Sequence, residues 1–315
     1  MKILACTIIA LLSVPVVSAV TVKEMLSQLS RRDSAPRSER FGAPRANVGM
    51  EFVDHDFVIP VAGNTPGNFG THWKSEVVIS NFRSQRQRIA VSILEQGKNS
   101  GTSEPVILEL PSFEEEGELA IVTEDFMGYL GKTGLASIVV QAVQSDGKTI
   151  DEGAIIDGYS RIWTLQPQDP AQPCAPAQRG TVSQGMMTVT PDSVTGHEFP
   201  AFAVGLKQDE TYRTNVGIVN LSPNQVTWLV EVVARGRAGT TFKMTVPGNS
   251  MIQQPIPAGI YGVMSIIFSV DDASLAKTPG AIESQHTGDG ALLWNAYASS
   301  VDNRSGDGWT RQAAP

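Results

Sequence analysis

From Asp56 to Val301 the apolar residues recur mainly at every second position, the spacing of strands that bury one face. Ser75, Val77 and Ile79 share one parity, and Ile89, Val91 and Ile93 form the apolar face of the next strand. The pattern predicts seven strands in a first unit, at Phe57–Val61, Trp73–Asn81, Ile89–Gln96, Val106–Leu110, Glu118–Val122, Leu135–Val143 and Ala154–Thr164. It predicts seven more in a second, at Glu198–Val204, Tyr212–Leu221, Val226–Ala234, Phe242–Val246, Met251–Ile256, Val263–Val270 and Leu292–Val301. The two sets read as copies. Trp73–Gly97 aligns without a gap onto Tyr212–Gly236, and Gly134–Val140 aligns onto Gly262–Phe268. Aligned apolar positions keep their parity, which a one-residue slip would invert, so both copies are expected to hold the same sheet register.

Short strands divided by turn residues, with no long amphipathic helix between them, point to antiparallel sheets rather than a βαβ fold. The expected fold is all-β, two tandem antiparallel β-sandwich domains of immunoglobulin-like type, over residues 51–166 and 196–311. A Pro-rich linker, 167–195, is expected between them, and one helical turn at Glu124–Gly131. Ahead of the sheets, Thr21 and Glu24 have the spacing of a capping box, and Val22, Met25, Leu26 and Leu29 follow at helical intervals. Residues 20–50 are therefore expected to form a short N-terminal helix and a flexible basic arm.

One basic residue, Lys2, precedes an apolar run from Ile3 to Val17 and the small-residue site Val17-Ser18-Ala19, the layout of a signal peptide over residues 1–19. The expected location is secreted, periplasmic or extracellular, with cell-surface association allowed; no other stretch has the length of a membrane span. Beyond that segment Cys174 is the sole cysteine, so an internal disulfide is excluded and each unit must hold together by burial. Cys174, or unpaired strand edges, could join copies into a homo-oligomer. The arm carries a balance of +3 and the chain from residue 51 a balance of −12, which gives the body no general attraction for nucleic acid.

A resemblance rests on three features: Phe57-Val58-Ile59-Pro60, then Trp73-Lys74-Ser75-Glu76 with Asn81 eight residues after the Trp, then the closing Tyr297-Ala298-Ser299-Ser300-Val301-Asp302-Asn303-Arg304-Ser305-Gly306-Asp307. In these the chain resembles a group of secreted bacterial proteins with paired β-sandwich-like units and a terminal Val-Asp-Asn-Arg-Thr/Ser-Gly-Asp. The resemblance implies architecture and no activity. The first unit closes with Ser160-Arg161-Ile162-Trp163-Thr164 and lacks the Asp-Asn-Arg element, so a site built on that element would exist once.

The search for chemistry is mostly negative. No Gly-x-Ser-x-Gly elbow and no Cys or His pair at metal-ligand spacing is present, and His55, His72, His197 and His286 are scattered. Three constellations remain. Asp302 and Asp307, in a Gly-containing loop, could offer oxygens to calcium; the competing reading is a turn in which Asp302 and Asn303 bond the local backbone and Arg304 pairs with a carboxylate. Trp309, placed beyond the last expected strand, could serve as a flat face for a sugar ring, with Arg304 and Asn303 bonding its hydroxyls. Of the aromatic–cation pairs Trp73-Lys74 and Tyr212-Arg213 at equivalent positions, Trp73 shares parity with Val77 and Ile79, which points it toward the core. The run Glu114-Glu115-Glu116 reads as a solvated loop. No cofactor other than calcium is suggested. The expectation is a non-enzymatic binding or structural module with a carbohydrate or surface-protein partner; the alternative is a secreted hydrolase of polysaccharide or peptide.

Overall fold

The structure, a computed structural model, describes residues 21, 55–67, 70–112, 120–166, 180–189, 200–236, 238–275 and 293–314. The signal segment, the N-terminal helix and arm apart from Thr21, Glu114–Glu116, Cys174, His197 and His286 lie outside the described residues. The first half carries β1 (Asp56–Pro66), β2 (His72–Asn81), β3 (Gln87–Glu95), β4 (Val106–Leu110), β5 (Ala120–Thr123), β6 (Gly134–Val143), β7 (Ile156–Leu165) and β8 (Thr181–Met186). The second carries β9 (Ala201–Gln208), β10 (Tyr212–Asn220), β11 (Val226–Ala234), β12 (Thr240–Val246), β13 (Ser250–Pro255), β14 (Gly262–Val270), β15 (Trp294–Asp302) and β16 (Gly308–Gln312). The helical turn expected near Glu124 is α1 (Phe126–Tyr129), whose first turn is capped by the Asp125 carboxylate accepting from Gly128 N–H, and α2 (Asp272–Leu275) follows β14.

Every strand pair is antiparallel. The first half forms one sheet in the order β4-β3-β6-β1-β2-β7-β8, with β5 added on β2. Strands β1 and β2 meet only over Asn64–Pro66 and His72–Lys74, so the sheet folds over into two limbs, β4-β3-β6-β1 and β5-β2-β7-β8. Between them lies a core that includes Phe57, Ile59, Val77, Ile79, Ile89 and Ile138. The second half has two separate sheets, β12-β11-β14-β9 and β13-β10-β15-β16, around a core centred on Trp228, Trp294 and Phe268. Its strand order reproduces that of the first half strand for strand, and both halves place a β-bulge at the same point, between Ile59 and Ala62 and opposite Met264–Ile266. The result is a β-sandwich-like all-β protein.

Two strands differ from the sequence expectation. Thr181–Met186 falls inside the stretch expected as linker, yet it pairs with β7 from Ser160 to Leu165. Gly308–Gln312 was expected beyond the last strand, yet it pairs with β15 from Tyr297 to Val301. Both are short edge strands with weak alternation, Thr-Val-Ser-Gln-Gly-Met and Gly-Trp-Thr-Arg-Gln, so periodicity alone does not separate them from loop.

The repeated Asn81 and Asn220 explain part of the duplicated motif. Both are fully buried. The Asn81 amide donates to the carbonyls of Gln85 and Pro111 and accepts from Arg83 N–H. Asn220 does the same with Asn224, Pro247 and Ser222. Each closes the turn out of its strand and ties it to the end of the strand two further on. The residue is held in common because of the fold rather than a ligand.

The halves are joined by a third apolar cluster. Val58 and Val61 of β1, Leu94 of β3 and Val139 of β6 meet Val219 of β10, Met251 of β13, Tyr297 of β15 and the adjoining Leu221 and Leu293. Strands β3, β6 and β1 of the first limb are thus buried on both faces, and four sheet layers lie in succession. Hydrogen bonds cross the same seam: Gly97 N–H to Met251 O (2.9 Å), Ser100 N–H to Asn249 O (3.1 Å), and Ser250 Oγ to Glu95 O (2.9 Å). Tyr297 fits because its β10 neighbour is Gly217; a Cβ there would lie inside the Tyr297 ring.

Replacing Asn220 by Ala removes the donor for the Asn224 and Pro247 carbonyls. The expected loss is about 2–4 kcal/mol of stability, read from the urea midpoint of the purified chain, because buried acceptors are left without a partner.

Candidate functional site

The residues singled out for binding gather at the β15–β16 hairpin. Asp302 N–H donates to Asp307 O (2.6 Å) and Gly306 N–H to Asp302 O (3.0 Å), and Gly306 takes the left-handed conformation (φ 82°) that a side chain would resist. One oxygen of the Asp302 carboxylate accepts from Arg304 N–H (2.7 Å) and Ser305 N–H (2.9 Å), and Ser305 Oγ accepts from Asp307 N–H (3.1 Å). This is the turn arrangement, in which a short acidic side chain caps its own loop. The Ser305 and Arg304 amides hold the Asp302 carboxyl below the usual carboxylate range.

Asn303 ties the hairpin to the β9–β10 turn. Its N–H donates to Thr211 O (2.7 Å), its side-chain oxygen accepts from Arg213 Nη1 (2.9 Å), and its amide reaches Glu210 O (3.4 Å). Burial lowers the Arg213 guanidinium from its ordinary value. Arg304 and Asp307 stand exposed at the tip. Asn303 is therefore occupied by the fold, and Arg304 and Asp307 are the members that face solvent.

Trp309 is not a free platform past the last strand. It lies in β16 opposite Ser300, half-buried, with its indole N–H donating to Gly205 O (2.9 Å). Its ring packs on Tyr212 at 5.6 Å between centroids and 60° between planes. Lys207 Nζ stands 4.4 Å from the Tyr212 ring centre and 2.9 Å from the Asp209 carboxylate. Their hydrogen bond raises the Lys207 amine and lowers the Asp209 carboxyl. The cluster of Trp309, Tyr212, Lys207 and Asp209 lies at one end of the second half's sheets. Tyr212 was visible in the sequence as an aromatic–cation pair with Arg213, but its contact with Trp309 depends on a strand that periodicity did not reveal.

The other side of the hairpin rests on the first half. A Cβ on Gly306 would come to 3.0 Å from Val182, one on Gly308 would overlap the Gln184 amide, and Thr310 Oγ1 bonds Gln184 Oε1 (3.1 Å). The two glycines are what let β16 lie against β8. Of the terminal Asp-Asn-Arg-Ser-Gly-Asp element, Gly306 is the member that meets the first half.

The remaining candidates are taken up by the fold. Lys74 pairs with Asp125 (3.0 Å), Trp163 Nε1 donates to Glu124 O (2.8 Å), Trp73 is half-buried, and Trp228 and Trp294 pack with their rings tilted by 55° at 5.8 Å between centroids in the second core. His72 bonds Asn64 (2.6 Å), and His55 lies 3.8 Å from the buried Asp56 carboxylate. Among the described residues no group of three or more His, Cys, Asp or Glu stands where it could hold a metal ion, so Asp302 and Asp307 have no third such ligand there. No helix among the described residues is long and apolar enough to cross a membrane. No protein-family model matches the sequence, and a search of curated proteins finds no match.

Because the Asp302 carboxyl is lowered by its turn bonds, its contribution to stability is present above the unfolded-state carboxylate pKa and is lost as pH falls through the folded value. Asp302→Ala is expected to destabilise the protein at pH 7 and to differ less from the parent as the pH drops toward 3, measured by thermal unfolding of both chains over that range.

Proposed function

We propose that this chain is an exported, non-enzymatic binding or structural module of the bacterial cell surface or extracellular space, working on a protein partner through the outer faces of its sheets. Its halves are read as two variants of an immunoglobulin-like sandwich, sharing with that fold the pairing of the second strand with the fifth and the third with the sixth. They depart from it in leaving β6 and β7 in different limbs.

The observation that carries this reading is where apolar surface is left in water. Of twelve large apolar residues exposed among the described residues, eight lie on two outer sheet faces or their margins: Phe82, Val122, Ile155 and Tyr159 on one, Phe202, Val204, Val233 and Val263 on the other. Scattered exposed apolar residues are ordinary, but contiguous sets on flat sheet faces mark contact surfaces. Glu95, Asp146, Asp209 and Asp302 are lowered by cations, hydroxyls or backbone amides, so none of these four has the raised carboxyl that the general acid of a glycosidase needs.

A photo-crosslinking residue placed at Tyr159 or Val204 of the exported chain in its native cells is expected to give protein adducts, while one at the exposed Lys98 gives none. Adducts confined to polysaccharide, or none at either face, would overturn the reading.

A second reading is favoured by one feature, the Tyr212–Trp309 pair with Lys207 beside it, which has the ingredients of a carbohydrate subsite. Under it, Tyr212→Ala would lower binding in a glycan panel by tenfold or more, about 1.4 kcal/mol, and a panel in which parent and variant bind alike would remove it.

A further inference from the structure

The seam inside the chain joins two unlike faces. The outer face of the β4-β3-β6-β1 limb meets the outer face of the β13-β10-β15-β16 sheet. Because the halves share one topology, each of these faces has a counterpart at the opposite end of the stack. The counterparts are the outer faces of the β12-β11-β14-β9 sheet and of the β5-β2-β7-β8 limb, and among the described residues no element lies over either.

The ladder registers identify the counterpart residues. Phe57 pairs with Val140 as Ala201 pairs with Phe268, which makes Phe202 the equivalent of Val58; likewise Val233 and Val263 stand where Leu94 and Leu135 stand. Val58 is fully buried in the seam, whereas Phe202 and Val263 are 42% and 58% exposed. At the other end, Val78 pairs with Tyr159 as Gly217 pairs with Tyr297. Phe82 N–H donates to Ile155 O as Leu221 N–H donates to Leu293 O. Tyr159, Phe82 and Ile155 are therefore the equivalents of Tyr297, Leu221 and Leu293. Tyr297 is 1% exposed and Tyr159 is 50% exposed. Six positions that are apolar where the seam buries them stay apolar where water would favour polar side chains.

Resting on the reading of the sheet faces as working surfaces, we propose that their occupant is a second copy of this chain. The β12-β11-β14-β9 face of one chain docks on the β5-β2-β7-β8 face of the next, repeating between chains the contact that joins the halves within one. A contact between two different faces does not close on itself in a pair, so the assembly is a linear head-to-tail oligomer that grows into a filament unless rotation closes it into a ring. The free faces also differ from the seam in charge. Where the seam has Ser299 and Ser92, they carry Arg161, bonded to Glu76 at 2.7 Å, and Glu231. These charges keep the single chain soluble and make the contact between chains weaker than the one within, so assembly depends on concentration.

Two variants test the pairing of unlike faces. Tyr159→Asp spoils one face and Phe202→Asp the other; both side chains are exposed, so each variant is expected to melt with the parent. In sedimentation velocity from about 1 μM to about 1 mM, the range of weak to moderate association, the parent chain should grow in mass with concentration and each variant should remain monomeric. An equimolar mixture of the two should form a dimer of twice the monomer mass and nothing larger, because one intact face of each kind remains. A parent that is monomeric throughout, or a mixture that shows no dimer, overturns the proposal. Protein adducts at Tyr159 without self-association would retain the sheet faces as contact surfaces and overturn only the choice of partner.

Discussion

The packing of Tyr297 across Gly217 and onto the first half is the contact through which the two halves become one structure. A tyrosine buried in full must have its hydroxyl satisfied, and here it donates to Gln253 at 2.8 Å, while desolvation pushes its titration well above the ordinary tyrosine value. The ring needs a flat, bare strand beneath it, which Gly217 supplies and a larger residue would not. Around this contact the rest of the seam falls into place: Val58, Leu94 and Val139 on one side, Val219 and Met251 on the other, with backbone bonds from the Gly97 turn holding the margin. At a gain of about 1.5–3 kcal/mol for each large apolar side chain fully buried, a seam of this size stands comparison with a domain core.

Much of the architecture was legible in the sequence because strands with one buried face declare themselves by alternation. Ile89, Val91 and Ile93 and their partners Trp228, Val230 and Val232 gave the register, and the gapless alignment of the halves gave the common topology. The long pairing of β2 with β7, against only three positions shared with β1, was not legible, since alternation reports which face is buried and not which strand lies alongside. The edge strands β8 and β16 were hidden for a different reason. They lie against each other across the seam, so the positions that matter in them are small or polar: Gln184, Gly308, Thr310.

The site residues follow the same division. That Asp302 would cap a turn could be read from its spacing to Ser305 and Gly306, and the structure assigns its carboxylate to that use. The placement of Trp309 within a strand was not legible because it is the one aromatic in a strand of otherwise polar and small residues, and its neighbours Tyr212 and Lys207 come from elements far away in sequence. The seam itself was the largest omission. Val58, Val139 and Leu94 have the wrong parity for the first core, and an apolar residue on a nominally outer face carries no mark in the sequence to say whether water, a second half or a second chain will cover it.

The seam also sets an order of events in synthesis. Val189, whose backbone bonds to Val58 complete the first half, is made more than a hundred residues before Tyr297. For that interval the nascent first half has a finished interior and a bare apolar flank, the condition in which a growing chain is most open to mispairing with its neighbours. The β15–β16 hairpin, with β16 seated against β8, is therefore also the latch that ends this vulnerable period, and truncation ahead of it would leave the flank uncovered however well the first half had folded.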